Sequence, residues 1–556
     1  METSGAYWHE KYREALDALR RELERKRRLA RKEDKGEGED GGWLIACGFT
    51  VNLDMVHKLQ SRETGQVIEE VMGEVAAWAR DRQARDEQAR GPAQGSKRVD
   101  EGGPVRISGD GISGYMPGGM PIDIAGGRPG NTGNTSLPRV IRTPQDFIAV
   151  LVRLLEEGRG GEWQVATGEM AEWLKVKFPG DFKIGGTGAQ AANALSSLGF
   201  QCALHAPNLS CGQAKHLNSR IRIPRGGDLL APLEACRESD PDELHFIIEY
   251  DPGLEVTVAG RTIRPVTSNR IILPYDRMLS SFEIDGDFID YVLNHAPAIS
   301  SLLVTGFNAL RADEDWVDRV DRVAEFVREF RSRNAGALIH LEEGDTRCGE
   351  GRRYMIEHLY RMVDSVGMNE DEFRDITGVQ ADRDPVRSVE TLMGLLEAYG
   401  LKRVNLHTRD FSLSATRLDP EKEQRAQLVA SLLAANRART GAFGDLEAVA
   451  RNTSLPLSVR GLDVERRLQE SIGLAGGRKE IVLGRQSAGP AQRPVKVQES
   501  GQWRDAGEGG VSGRRANGRW SSGRAWIVFS PARNVERPAC TVGLGDSYTA
   551  GILAMY

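Results

Sequence analysis

Polar and apolar positions recur at helical spacing over residues 7–33, an amphipathic stretch dense in both charge signs that predicts a salt-bridged surface helix. The pattern stops at "DKGEGEDGG" (34–42), a hydrophilic glycine linker, and the folded part is expected to begin after it. There "WLIACGF" (43–49) forms a short apolar run with the look of a buried strand, followed directly by "TVNLD". Residues 55–90 are helical in pattern. Residues 91–137 and 486–524 are rich in glycine and carry little periodicity, so the first is expected as an insertion and the second as a mobile surface loop.

From about residue 300 the pattern alternates strand and helix. "SSLLVTGF" precedes a helix at 313–333, "ALIHLE" a helix near 350–360, and "MVDSVGMN" another; a helix at 386–399 leads into "RVNLHT". Uniformly apolar strands separated by helices are buried on both faces, which predicts a parallel sheet with right-handed crossovers. The expected fold is α/β, a Rossmann-like parallel sheet sandwiched by helices. "HFIIEY" (245–250) and "EVTVAGRTIRPVTSNRIIL" (255–273) instead alternate with period two and are punctuated by Gly and Pro. They predict a smaller β-rich lid, strands at about 245–275. The expected organisation is a charged helix and linker over 1–42 and one enzyme domain over 43–556.

Composition narrows the function. Hydrophobic residues are 40% of the 556 and charged residues 28%, enough for a core and for solubility. A net charge of −6 supplies no basic excess for a phosphate backbone, so no nucleic-acid partner is expected. The six cysteines show no C-x-x-C spacing and read as reduced core thiols, without zinc or a disulfide framework. No run reaches the ~18 apolar residues of a membrane span, and the first turns are charged, so a cytoplasmic address and no membrane partner are expected.

In open parallel sheets ligands gather beyond the carboxyl ends of the strands. Asn52 and Asp54 follow the first predicted strand, Glu342 ends "ALIHLE", Asn369 and Glu372 follow "MVDSVGM", and Asp546 opens a helix. Asp54 and Asp546 could equally be helix N-caps, and Glu342 and Glu372 carboxylates at a favourable helix dipole. Yet G-x-G-D, N-x-x-E and H-x-E each occur once, all at strand-to-helix junctions. A GLGD turn entering a helix presents backbone N–H groups around Leu544, Gly545 and Asp546 to one point, where charge on a transferring phosphoryl group can be bound. Gly543 and Gly545 let the backbone approach, Asp546 can accept a hydroxyl proton, and carboxylates from other strand ends can hold Mg²⁺ directly or through water. This is the equipment of a sugar kinase without a P-loop.

The ordered stretches "CGFTVNLDMV", "KIGGTGAQAANALSSLGF", "LHFIIEYDPG", "SNRIIL", "LLVTGFNAL", "IHLEEGD", "DSVGMNEDEF", "RVNLHT", "TSLPLSV" and "SPARNVERPACTVGLGDSYTAG" resemble the ADP-dependent glucokinase/phosphofructokinase family of the ribokinase superfamily over most of the chain. The resemblance implies a ribokinase-type fold, ADP as donor, AMP as product, and a hexose or hexose phosphate as acceptor. It implies Asp546 as base, Glu342 and Glu372 linked to Mg²⁺, and Asn369, His407 and Thr408 at the nucleotide. Asn52, Asp54, Gly186, Thr187 and His245 would face the sugar. "LLEEGRGGEW" resembles the family segment in which an acidic residue favours glucose, placing Glu162 at a sugar hydroxyl; Glu162 could also cap the helix that follows. The family usually has Gln where this chain has Thr187. Two alternatives stay open: a sugar- or nucleotide-binding protein of the same fold with weakened catalysis, and an ATP-dependent ribokinase-like kinase.

Overall fold

The computed structural model describes residues 2–33, 42–74, 113–115, 121–123, 137, 138, 140–258, 260–276, 284–310, 316–344, 346, 348–473, 478–482 and 524–556. The linker expected at 34–42 and the loop expected at 486–524 lie outside these residues except at their ends, as does most of the 91–137 insertion.

The chain opens with α1 (Glu2–Glu33) and β1 (Leu44–Cys47), then runs into β2 (Asn52–Lys58), α2 (Pro144–Glu157), β3 (Gly161–Glu162), α3 (Gly168–Lys177) and β4 (Asp181–Gly185). It continues through α4 (Thr187–Leu198), β5 (Gln201–Leu204), β6 (Leu244–Tyr250), β7 (Asn269–Tyr275), β8 (Ile299–Val304), α5 (Trp316–Arg333) and β9 (Leu338–Glu342). Then follow α6 (Gly349–Leu359), β10 (Ser365–Asn369), α7 (Glu370–Thr377), α8 (Pro385–Tyr399), β11 (Arg403–His407), β12 (Phe411–Thr416), α9 (Pro420–Thr440) and α10 (Val459–Ile472). The last elements are β13 (Arg478–Val482), β14 (Arg524–Pro531) and α11 (Leu544–Met555). Two compact units result: residues 1–52, 184–242 and 277–556, and residues 53–183 with 243–276.

The larger unit is built on a nine-stranded sheet in the order β13–β14–β12–β11–β10–β9–β8–β1–β5. Its strands from β11 to β5 pair in parallel, as alternation of apolar strand and helix requires. The other three are antiparallel, because β12 returns from β11 through a hairpin too short for a crossover. Register pairs Glu342 with Gly367 and Asn369 with His407, so their strands end together along one edge.

α1 corrects the expectation of a helix outside the folded part. Trp8, Tyr12, Leu16, Leu19 and Leu23, spaced three or four apart, are buried in the same core as the sheet. Trp8 Nε1 donates to Glu465 Oε2 (2.9 Å), and Tyr12 Oη donates to Pro531 O (2.8 Å) and lies at hydrogen-bond distance from Ser431 Oγ (2.9 Å). α9 starts with an Asp419 N-cap and Pro420 and ends at Gly441, and most of its length is buried. α11 packs closely on it: a side chain at Gly551 would run into the Ala430 backbone.

The smaller unit has a five-stranded sheet in the order β3–β7–β6–β2–β4, with β6 antiparallel to β7 and parallel to β2. The period-two pattern placed β6 and β7 well, but the unit is larger than the expected lid. Residues 55–58, expected as helix, are strand, and the helix following them starts at 61. Leu53, Met55, Phe147, Leu151, Phe178, Phe246, Ile248 and Leu273 form a core of its own. Thr143 and Asp146 close a capping box at the start of α2.

The reading of six reduced thiols is corrected at two positions. Cys211 and Cys236 are joined as a disulfide, with Cα atoms 5.2 Å apart, while Cys47, Cys202, Cys348 and Cys540 are free and buried. The pair is 25 residues apart, a separation that carries no C-x-x-C signature. Among the described residues no helix is long and apolar enough to cross a membrane.

Candidate active site

α11 begins with a turn that only glycine fits easily. Gly543 is the N-cap with φ of 73°, and Leu544, Gly545 and Asp546 are the first three helical residues. Asp546 is therefore not the N-cap allowed for it above; the N-cap glycine has no side chain with which to cap the helix. The carbonyls beside the turn are occupied: Ser547 N and Oγ donate to Gly543 O (3.0 and 2.8 Å), and the buried Arg437 donates from Nε to Val542 O (3.4 Å). The first N–H groups of α11 carry the positive end of its dipole. A Cβ on Gly545 would stand 3.3 Å from His407 Nε2, so glycine there brings the turn against the end of β11.

His407 connects the turn to a cluster of buried carboxylates. Its Nε2 lies 3.7 Å from Glu342 Oε1, its ring stacks on Tyr548 with centroids 4.7 Å apart, and its Nδ1 is buried without a hydrogen-bond partner. Burial pulls its pKa down, with Glu342 opposing. Glu342 ends β9 and accepts from His340 Nε2 (3.0 Å); burial raises its pKa, against the opposing pull of His407, and the Thr549 hydroxyl lies beside it without a hydrogen bond of good geometry. Neighbouring Glu343, which sequence reasoning did not single out, accepts from Tyr360 Oη (2.5 Å) while its Oε2 has no partner. Burial lifts its pKa to about 6.

Glu372 is the third residue of α7, where its Oε2 accepts from Asn369 N (2.8 Å) as Asn369 Oδ1 accepts from the Asp371 and Glu372 amides (2.9 Å each). This is a capping box, but a buried one. Desolvation first, then the charge of Glu342 and of Glu343, drives the Glu372 pKa well up. Thr408 closes the β11–β12 hairpin, its hydroxyl donating to Phe411 O (3.0 Å) and accepting from the Asp410 and Phe411 amides (3.1 and 3.0 Å).

Behind Glu342 runs a relay whose members are spread along the sequence. Arg403 and Glu423, both fully buried, pair at 2.7 Å, and Arg403 Nη1 donates to Ser365 Oγ (3.0 Å). The Ser365 hydroxyl is then left to donate to His340 Nδ1 (2.8 Å), which puts the histidine proton on Nε2, facing Glu342. Burial, and after it Arg403, keeps His340 neutral, its pKa down to about 3, as this pattern needs.

The residues expected at the sugar divide between the units. Gly186 and Thr187 are the N-cap and first residue of α4, and the Asn52 side-chain oxygen would stand 2.9 Å from a Gly186 Cβ; all three belong to the larger unit. Asp54, Glu162 and His245 belong to the smaller. Asp54 lies within β2 rather than capping a helix, directly opposite His245 in register. Glu162 is in β3, opposite Ile272, and the helix after it is capped by Thr167, not by Glu162. His245 is buried and its Nε2 lies 3.2 Å from Asp276 Oδ2. Burial alone would lower its pKa, but Asp276, with help from Asp54 and Glu162, outweighs burial and holds it up.

A helix entered through a glycine turn beside buried carboxylates at parallel strand ends is a layout suited to phosphoryl transfer. Residues 124–555 match the ADP-specific phosphofructokinase/glucokinase conserved region. The chain belongs to that family, and so is a kinase that phosphorylates a sugar hydroxyl with ADP as donor. It is similar to the ADP-specific phosphofructokinase of Thermococcus litoralis, 26% identical with 75% of this chain and 87% of the relative covered. It is also similar to the ADP-dependent glucose/glucosamine kinase of Pyrococcus abyssi, 23% identical with 74% and 84% covered. Among solved structures, an ADP-dependent kinase in complex with fructose-6-phosphate and ADPβS shares the fold, with a TM-score of 0.66 and 17% identity over 99% of this chain and 97% of that one.

Proposed function

We propose that this kinase moves the β-phosphoryl group of ADP onto a hydroxyl of an uncharged hexose, giving AMP and a hexose phosphate. Asp546 takes the proton of the attacking sugar hydroxyl, the oxygen of that hydroxyl bonds to the β-phosphorus, and the bond from that phosphorus to the bridging oxygen breaks as AMP leaves. The N-terminus of α11 stabilises the charge that builds on the phosphoryl oxygens. Asn369, His407 and Thr408 are assigned to the nucleotide; Asn52, Asp54, Gly186, Thr187, Glu162 and His245 to the sugar.

Among the described residues no group of three or more His, Cys, Asp or Glu is arranged to hold a metal ion. Two buried carboxylates, Glu342 and Glu372, with the unpartnered Glu343 Oε2 nearby, nonetheless leave negative charge poorly compensated, which suits a divalent cation. Glu342 and Glu372 would hold Mg²⁺, directly or through water, and when bound it would offset charge on the phosphoryl and leaving groups.

The choice of an uncharged sugar rests on one observation: His245 has three carboxylates acting on it, Asp276, Asp54 and Glu162. Such a set accepts hydrogen bonds from sugar hydroxyls, each charge-assisted contact contributing roughly 1.5–3 kcal/mol, and repels a phosphate. The test is AMP release from ADP with glucose, fructose 6-phosphate and other hexoses, with ATP and with EDTA as separate arms. Faster turnover of glucose, loss with EDTA and little activity with ATP are expected. Preference for fructose 6-phosphate overturns the sugar assignment, ATP as the better donor overturns the donor, and sugar binding without turnover makes the chain a sensor.

A further inference from the structure

Gln190 lies in α4, one helical turn after Thr187, and is only 3% exposed. Its carboxamide oxygen has no hydrogen-bond partner. It also sits against the turn that opens α11: a Cβ on Gly543 would overlap that oxygen and come within 3.1 Å of the carboxamide nitrogen. A buried carboxamide with an unpaired oxygen is a destabilising choice that an apolar side chain of similar size would avoid. Packing therefore does not account for glutamine at this position.

The turn offers the second half of the argument. Its carbonyls are taken by Ser547 and Arg437, whereas the N-cap of the helix it starts is a glycine with no capping side chain. The N-terminus of a 12-residue helix begun by a glycine attracts an anion, and the buried carboxamide beside it can turn by 180° to present N–H instead of oxygen. Neither the GLGD pattern nor the "GGTG" run identifies this residue, because its partner lies far along the chain and meets it only in the fold.

We propose that Gln190 contacts substrate, donating a side-chain N–H to an oxygen of the phosphoryl group held at the α11 N-terminus. This rests on the functional reading above. A neutral donor at that place strengthens as charge builds on the phosphoryl oxygens, so it acts more on turnover than on sugar binding. It also gives a use to a buried carboxamide whose oxygen has no partner: turned over, the group presents N–H on the side of the turn.

The test is Gln190→Leu, read for kcat, sugar KM and melting temperature. Removing an unpaired amide should leave melting unchanged or higher, while loss of a hydrogen bond to a charged group lowers kcat by about 10- to 100-fold with little change in sugar KM. Gln190→Met, which keeps the side-chain length, should behave alike. An active wild type with kcat for Gln190→Leu within about twofold of it overturns this proposal alone. So does loss of activity together with a lower melting temperature in both variants, which assigns Gln190 to packing. A wild type that releases no AMP from ADP overturns the functional reading and this proposal with it.

Discussion

Asp546 and His245 each have a role that one substitution can isolate. Asp546 occupies the third position of a helix begun by a glycine, so replacing it with asparagine keeps the shape and hydrogen-bonding size of the side chain but removes its basicity. Asp546→Asn should lower kcat by about 10²–10⁴-fold with ADP affinity and melting temperature little changed; near-wild-type turnover would remove Asp546 as the base. His245 makes a pH prediction. Its folded pKa lies above the ordinary 6.5, because Asp276, Asp54 and Glu162 outweigh burial. The stability it supplies is fully present below pH 6.5 and is lost as pH rises through the higher folded value. Relative to wild type, Asp276→Asn should therefore lose stability chiefly at acidic pH, and the two melting temperatures should converge as pH is raised above neutrality. Parallel curves across that range would show that the pair does not titrate.

At the scale of elements, α1 is a structural member of the larger unit. Trp8 is fully buried and its indole N–H is paired with Glu465 in α10, so Trp8→Ala opens a cavity and takes one donor from a buried carboxylate. Large-to-small changes of this kind cost about 3–5 kcal/mol, and the urea midpoint of the larger unit should fall accordingly; a surface helix would show no shift. The strand-helix alternation after residue 300 was legible because β8 to β11 are short runs rich in apolar residues, each set off by a helical pattern, and β9, β10 and β11 end on the polar Glu342, Asn369 and His407. β2 was not legible as a strand, because "NLDMVHK" is buried on both sides and the alternation of its first four residues breaks at Val56. α1 hid its role for a related reason: an apolar stripe in a charged helix looks the same whether it faces a core or lies on a surface.

For the whole molecule, the candidate site was readable where chemistry sits at a junction and unreadable where it depends on distant pairing. Glu342, Glu372 and Asp546 stand at strand-to-helix transitions, which a single sequence displays. His340, Ser365, Arg403 and Glu423 form one relay from four elements, and Gln190 meets Gly543 only through the fold. The extent of the smaller unit escaped for the same reason, since its segments 53–183 and 243–276 are separated in sequence by a return to the larger unit.

The burial of α1 against α9 also bears on synthesis. Tyr12 bonds to Ser431, 419 residues later, so a ribosome adding about 5–20 residues per second emits the helix tens of seconds before its docking surface exists. During that interval Trp8, Tyr12 and Leu16 have no native cover, and the charges flanking them are what keeps the nascent segment from sticking to its neighbours. An element made so long before its docking surface is among the last to reach its place, which makes high contact order, rather than any weakness of the core, the reason to expect slow maturation.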